Sequence, residues 1–274
     1  MNKNGIVCFG DNCVDLYEQP LPRRFVGGNA VNTAVHARET GCEVAYMGTV
    51  GNDNNGQAIL RKLREKDIDV SQVQEYNTET AWTKVSLENG ERKFLQEFLG
   101  PVKSLRITDE LIEYLSRYHI IHNTWQGGTD DHLEHLKQCC GGLISMDFGE
   151  RYSEDFLLKC IPHVDIAFFS MSPENSDKAM TFSNRINKMG PKYVITTLGK
   201  KGSIISEKGA GSSSFPAQVI DAVDTLGAGD TFIGTFLGYF AQGASVHKCM
   251  QLATSAAACN CMIFGGFKNS EIVK

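Results

Sequence analysis

The sequence predicts an α/β fold: one large, mostly parallel sheet with helices on both faces, and a small β-flap standing outside it. Three observations carry this prediction. Short continuous apolar runs alternate with helical stretches, the pattern of strands buried on both faces by crossover helices. The 274 residues suffice for one large domain with a small appendage. One stretch breaks the alternation: residues 80–98 have period-two character around Asn89-Gly90, a strong hairpin signal.

Taken in order, residues 6–9 read as the first buried strand. Residues 15–25 read as strands that join the 80–98 hairpin in a small antiparallel sheet. A helix follows over 29–39, small and apolar on one face and stopped by Gly41. Residues 44–50 read as a strand and 57–66 as a helix. Further strands are predicted at 119–122, 143–146, 165–169 and 193–197, with helices at 109–116 and 131–139 between them. The tail over 231–262, rich in Ala, Gly and aromatics, reads as two closely packed helices. There is no long linker, repeat or low-complexity tract. The expectation is a single domain over 1–274 whose β-lid is formed by about 12–26 and 73–99.

Composition excludes several classes. A net charge of -5, with no cluster of Lys and Arg, argues against a nucleic-acid partner. The apolar run at 6–9 is too short for a signal peptide, and no segment approaches membrane-spanning length. The nine Cys are scattered, with no C-x-x-C pair and no His spacing suited to zinc. Reduced thiols in a cytoplasm are expected, most of them small buried hydrophobes.

The sharpest motif is Asp224-Thr225-Leu226-Gly227-Ala228-Gly229-Asp230-Thr231-Phe232. Two glycines and an alanine before a helix let the backbone approach an anion, and the helix amino end favours a phosphate there. Asp230 falls in the first helical turn. Capping would explain that Asp, but it leaves Gly-Ala-Gly unexplained. A Walker A loop is absent. Asp147-Phe148-Gly149 imitates the protein-kinase metal motif, but no H-R-D or V-A-I-K accompanies it. Asp147 keeps its interest as a carboxylate at the carboxyl end of a predicted parallel strand, where open α/β sheets bind ligands; a solvated strand-end Asp is the alternative. Near the start, Gly10-Asp11-Asn12-Cys13-Val14-Asp15 and Gly27-Gly28-Asn29-Ala30-Val31-Asn32 bring Asp and Asn to one sheet edge. Such groups suit the hydroxyls of a polyol.

These segments, with Gly48 to Gly56 and Thr197-Leu198-Gly199-Lys200-Lys201-Gly202, stand in the order seen in the ribokinase-like (phosphofructokinase-B) carbohydrate kinases. The chain resembles that family from Ile6 to about Phe267, and its N-terminal motifs resemble the bacterial members that phosphorylate fructoselysine. The resemblance implies a ribokinase-like three-layer α/β/α sandwich and ATP-dependent phosphorylation of a sugar derivative, most specifically the 6-hydroxyl of an Amadori compound. A plain ketohexose, ribose or a nucleoside is the alternative acceptor. A non-catalytic sugar- or nucleotide-binding regulator is a third reading. By resemblance, Asp230 is the catalytic base and Gly227, Ala228 and Gly229 form the anion hole. Asp15, Gly28, Asn29 and Asn32 hold the sugar, and Asp11 and Asn12 join them in the fructoselysine-like pattern. Thr197, Gly199, Gly202 and Thr225 line the nucleotide. Arg92, on the predicted flap, is a candidate to reach substrate or phosphate, with a solvated hairpin charge as the alternative. One segment departs from the family: where N-x-x-E is usual, the chain reads Phe169-Ser170-Met171-Ser172-Pro173-Glu174. Glu174 and Asp147 are the candidates on the Mg²⁺ side. A monovalent cation such as K⁺ near Asp224 and Gly265-Gly266, and a homodimer through the lid, are further features of relatives.

Overall fold

Alternation within single strands decides the layering. In β1 (Ile6–Phe9), Ile6 and Cys8 enter one core while Val7 and Phe9 enter another. Successive strand side chains point to opposite faces, so a strand apolar at every position must be covered on both. The computed structural model describes residues 4–17, 22–88, 91–150 and 152–272, those at 87–88 and 91–94 by backbone alone.

The large sheet also contains β4 (Val44–Met47), β9 (Ile120–Thr124), β10 (Leu143–Asp147), β11 (Ile166–Ser170), β12 (Tyr193–Thr197), β13 (Ser203–Glu207) and β14 (Gly211–Phe215). Its order is β14-β13-β12-β11-β10-β9-β1-β4, parallel from β12 to β4 and antiparallel at β13 and β14. One face carries α1 (Asn29–Glu39), α7 (Ala228–Ala241) and α8 (Val246–Asn260), with Ile59, Leu60 and Leu63 of α2 (Asn54–Arg64). The other carries α3 (Asp109–Leu115), α4 (Leu133–Cys139), α5 (Glu154–Cys160) and Ile186 of α6 (Ser176–Met189). The three-layer α/β/α prediction holds. The small residues of α7 explain the close packing in the tail: a Cβ at Gly234 would lie 2.9 Å from the Ala37 backbone nitrogen of α1.

A second sheet stands apart, in the order β3-β2-β7-β8, from β2 (Cys13–Tyr17), β3 (Arg23–Gly27), β7 (Trp82–Glu88) and β8 (Glu91–Phe98). It is mixed, whereas the sequence suggested an antiparallel sheet: β2 and β7 pair in parallel, because a long excursion through α1 and α2 joins them in place of a hairpin. The predicted Asn89-Gly90 turn lies outside the described residues. Near the C-terminus the chain returns to the outer side of β3. Val26 N–H donates to Ser270 O and Ile272 N–H to Arg24 O, both at 2.8 Å, and Glu271 pairs with Arg23 through two hydrogen bonds of 2.6 and 2.7 Å.

Three boundaries differ from expectation for visible reasons. The strand expected over 44–50 breaks at Gly48, where a Cβ would lie 2.9 Å from the Tyr46 ring carbon that bears the hydroxyl. The chain then pairs as β5 (Thr49–Gly51) with β6 (Gln74–Tyr76) in a separate two-stranded sheet. Helix α2 starts three residues early because Asp53 caps it, accepting the Gly56 N–H at 2.8 Å. The antiparallel β13 and β14 went unread because β13 has only Ile204-Ile205 as an apolar run and the Ser-rich β14 has no apolar alternation. Among the described residues, no helix is long and apolar enough to cross a membrane.

Candidate active site

The carboxyl ends of β1, β9, β10, β11 and β12 point toward two cavities of about 500 and 520 Å³ that share Ser170. The first is lined by carboxylates and amides, the second by glycine, alanine and backbone. The Gly227-to-Asp230 turn lies where they meet: Ala228 and Gly229 face the glycine-walled cavity, and Asp230 faces the carboxylate-lined one.

Gly227 is the N-cap of α7 at φ 70°, a left-handed conformation that other residues adopt at a cost. A Cβ there would also come 2.8 Å from Gly266 Cα. The carbonyl of Gly266 lies 2.9 Å from His36 Nε2, so α1 holds the segment packed on the turn. Thr231 N–H and Oγ1 both bond Gly227 O, at 2.7 Å, and close the first turn of α7. The amides of Gly229 and Asp230 belong to that first turn and have no carbonyl four residues back within the helix. A Cβ at Gly229 would meet nothing within 4 Å, so its face of the cavity is open for a ligand.

Asp230 is 9% exposed, and its Oδ2 accepts from Asn32 Nδ2 at 2.8 Å. Burial holds its carboxyl well above the usual carboxylate range. The Asn32 bond pulls the other way, and the charges of Asp147, Asp11 and Asp15 push it up further. Asp147 ends β10; burial, against the Gly149 N–H it accepts at 2.9 Å, pushes it up to about 6, and Asp11 adds to the rise.

Asp11 follows β1 and accepts from Thr124 Oγ1 at 2.6 Å and from Asn29 N–H at 2.7 Å. It therefore ties the ends of β1 and β9 to the amino end of α1, whose N-cap Gly28 (φ 105°) has no side chain to cap with. Asn12 donates to Tyr46 Oη at 2.8 Å and to Thr49 O at 2.7 Å, fixing the loop before β2. Asp11, Asn12, Asp15, Gly28, Asn29, Asn32, Asp147 and Asp230 all line the one cavity. Thr197, Gly199, Gly202 and Thr225 line the other with Ala228 and Gly229. Gly227 lines neither and acts through the turn. Glu174 is exposed in the turn Pro173–Asn175 and lines neither cavity. The Arg92 side chain lies outside the described residues; its backbone, on β8, pairs with that of Leu87 on β7. Both carboxylate oxygens of Asp224 accept backbone N–H groups, from Leu226 at 2.9 Å and Gly265 at 3.0 Å.

Sequence reasoning missed Thr124, Trp125, Gln126, Thr49, Thr83, Glu97 and Glu150, all but Thr124 in the cavity lining. The 124–127 and 148–150 segments follow predicted parallel strands, so the strand-end rule applied to Asp147 would have found them. Thr83 and Glu97 carry a weaker signal, the period-two alternation of the flap.

An anion at the α7 amino end would lie beside Asp230, with room for a small hydroxylated molecule on the carboxylate's other side. A fold and site so arranged define a small-molecule phosphotransferase. The sequence model of the pfkB family carbohydrate kinases matches residues 5–266, and the chain belongs to that family; it is a sugar kinase. It is 32% identical over 253 residues to fructoselysine 6-kinase of Shigella flexneri, covering 92% of this chain and 95% of that one. It is 30% identical over 269 residues to a fructosamine kinase of Bacillus subtilis, covering 96% and 92%. The ribokinase of Arabidopsis thaliana, solved with ribose and ATP, shares the fold with a TM-score of 0.84 at 20% identity, over 95% of this chain and 93% of that one.

Proposed function

We propose that the protein transfers the γ-phosphoryl group of ATP to the 6-hydroxyl of fructoselysine or a related Amadori compound. The observation that carries the reading is the Asp230 carboxylate, held by Asn32 between the two cavities and beside the first-turn amides of α7. The names of the relatives at 30–32% identity support the acceptor.

In this reading the sugar occupies the carboxylate-lined cavity, held by Asp15, Asn29 and Asn32, while Asp11 and Asn12 keep the surrounding loops in place. ATP occupies the other cavity, its size within the usual range for small-molecule pockets. Gly199 and Gly202 let the chain pass close to it, with Thr197 and Thr225 beside them. The γ-phosphoryl group faces the amides of Gly229 and Asp230. The sugar hydroxyl attacks phosphorus as its proton passes to Asp230, the bond to the ADP oxygen breaks, and ADP leaves. A carboxylate whose proton affinity is raised by burial, as that of Asp230 is, suits the base, because the attacking oxygen becomes acidic late in the transfer.

Among the described residues no group of three or more metal-ligating side chains gathers. This donor set fits a hydrated Mg²⁺ carried on the phosphates, which leans on few protein ligands. In this reading Asp147 would hold its water shell, and the ion would neutralise charge on the phosphates. The small sheet acts as a lid that keeps water from the phosphoryl group.

The test is a panel of acceptors assayed for magnesium-dependent ADP release. Fructoselysine is expected to give the highest kcat/KM, above fructose, ribose and nucleosides. Robust turnover of nucleosides alone would overturn the acceptor.

A further inference from the structure

This inference rests on the reading above and concerns how the cavity selects its sugar. The carboxylate-lined cavity holds Asp11, Asp15, Glu97, Asp147, Glu150 and Asp230, and no described Lys, Arg or His lines it. An unreactive polyol needs no such charge. Asp11 and Asp230 have tasks already described, Asp15 is assigned above to the sugar, and Asp147 to the magnesium side. Glu97 has no task in the transfer.

Its position is set by register. Asp15 of β2 pairs with Thr83 of β7, and Thr83 pairs with Glu97 of β8. Residues opposite one another across a sheet share a face, so the three form one row toward the cavity, which all three line. The row runs from buried Asp15 and Thr83 to exposed Glu97. Strand spacing puts the backbones of its two ends about 10 Å apart. From the core side, Gln126 Nε2 donates to Glu97 Oε1 at 3.4 Å. The carboxylate is thereby turned toward Gln126 on the loop after β9, where Trp125 also lines the cavity.

A second observation points to a ligand in the same space. Asn12 and Thr49 are 6% and 4% exposed and line the cavity, yet Asn12 Oδ1 and Thr49 Oγ1 have no hydrogen-bond partner. Buried oxygens of this kind cost free energy unless a ligand group meets them. The cavity thus combines unpaired oxygens in its wall with negative charge at its rim.

We propose that Glu97, with Gln126 and Trp125, is the subsite for a cationic amine carried on the sugar, and that this contact selects amine-bearing sugars over neutral ones. With C6 beside Asp230, the far end of the sugar and its amine lie toward the rim. The Glu97 carboxylate accepts from the ammonium, and the indole face of Trp125 offers a cation–π surface. The same charges repel a phosphorylated sugar.

The experiment uses the full chain with fructose and 1-amino-1-deoxyfructose, which differ by one amine, and with fructoselysine. In Glu97→Gln the preference for the amine-bearing sugars, read as the ratio of kcat/KM values, falls about tenfold, the size of a charge-assisted contact. The loss appears in KM rather than kcat. Glu97→Asp restores most of it, and rising salt erodes the preference in the parent but not in Glu97→Gln. A preference unchanged in Glu97→Gln overturns the subsite even where fructoselysine is the best substrate. If the parent turns over fructose but no amine-bearing sugar, the function proposed above fails by itself. The subsite is then judged by 1-amino-1-deoxyfructose as an inhibitor, whose affinity must exceed that of fructose and fall about tenfold in Glu97→Gln. Binding no tighter than fructose overturns it.

Discussion

The two cavities that meet at Ser170 are close in size and opposite in construction. Among the described residues, the glycine-walled one has no carboxylate in its lining and a single cation, Lys200. Its walls include Gly199, Gly202, Ala217 and Ala257 beside Val219, Ile220 and Phe232, so the contacts it offers are mostly small or apolar. The other concentrates six carboxylates brought from β1, β2, β8, β10 and α7 or the loops that follow them. A triphosphate is repelled by carboxylates and suits amides. A polyol is read by side chains that accept hydrogen bonds in chosen directions. One site is shaped by where the chain can pass, the other by what side chains it carries.

This contrast breaks in different ways on the two sides. The largest effect is expected from Asp230→Asn. Removing the base should lower kcat about 10³-fold. Nucleotide affinity, measured by calorimetry, should change little, because the variant leaves the glycine-walled cavity intact. Next comes Gly202→Ala. Gly202 has φ 94°, and a Cβ there would run into the Phe215 carbonyl and lie 2.8 Å from Ala217 N. The expected result is a KM for ATP raised about tenfold, with a loss of about 1–3 kcal/mol of stability from backbone strain. An equal rise in the sugar KM would show that the cavities are less separable than their linings imply.

A third test, read in stability and not in turnover, sharpens the carboxylate side. The Asp147 carboxyl, pushed up to about 6, stays protonated in the folded chain where an unfolded carboxylate has ionised. The folded state binds the extra proton, so stability falls as pH rises from the ordinary carboxylate range through about 6. Asp147→Asn should therefore raise the melting temperature of the ligand-free protein at pH 8, by up to about 3 kcal/mol of stability, and much less at pH 4.5. Equal stabilisation at both pH values would remove charge burial as its cause.

How much was legible follows the same division. The placement of the Gly227-to-Asp230 turn could be read in the sequence because its requirement is a backbone one, and only glycine meets φ 70° pressed on Gly266. The parallel strands were legible because burial on both faces leaves unbroken apolar runs such as Ile6 to Phe9. Glu97 and Gln126 were not, since their meeting depends on the register of β8 against β7 and on the path of the loop after β9. Neither leaves a local mark. Asp11 shows the converse. The sequence marked it as a candidate at the sugar; it lines the cavity, and only the fold shows that its oxygens also tie Thr124 and the Asn29 amide together. Glu174 was sought in the family's acidic position, and the turn after β11 leaves it exposed and outside both cavities.

The return of the chain end along β3 has a consequence for assembly. With Ser270 and Ile272 bonded to Val26 and Arg24, β3 is already covered, and β8 is the free edge of the small sheet among the described residues. A sheet with two open edges can recruit copies without limit, whereas one with a single open edge can join once. Edge-to-edge pairing through this sheet is therefore left to β8 among the described residues, and residues 270–272 block the same contact at β3.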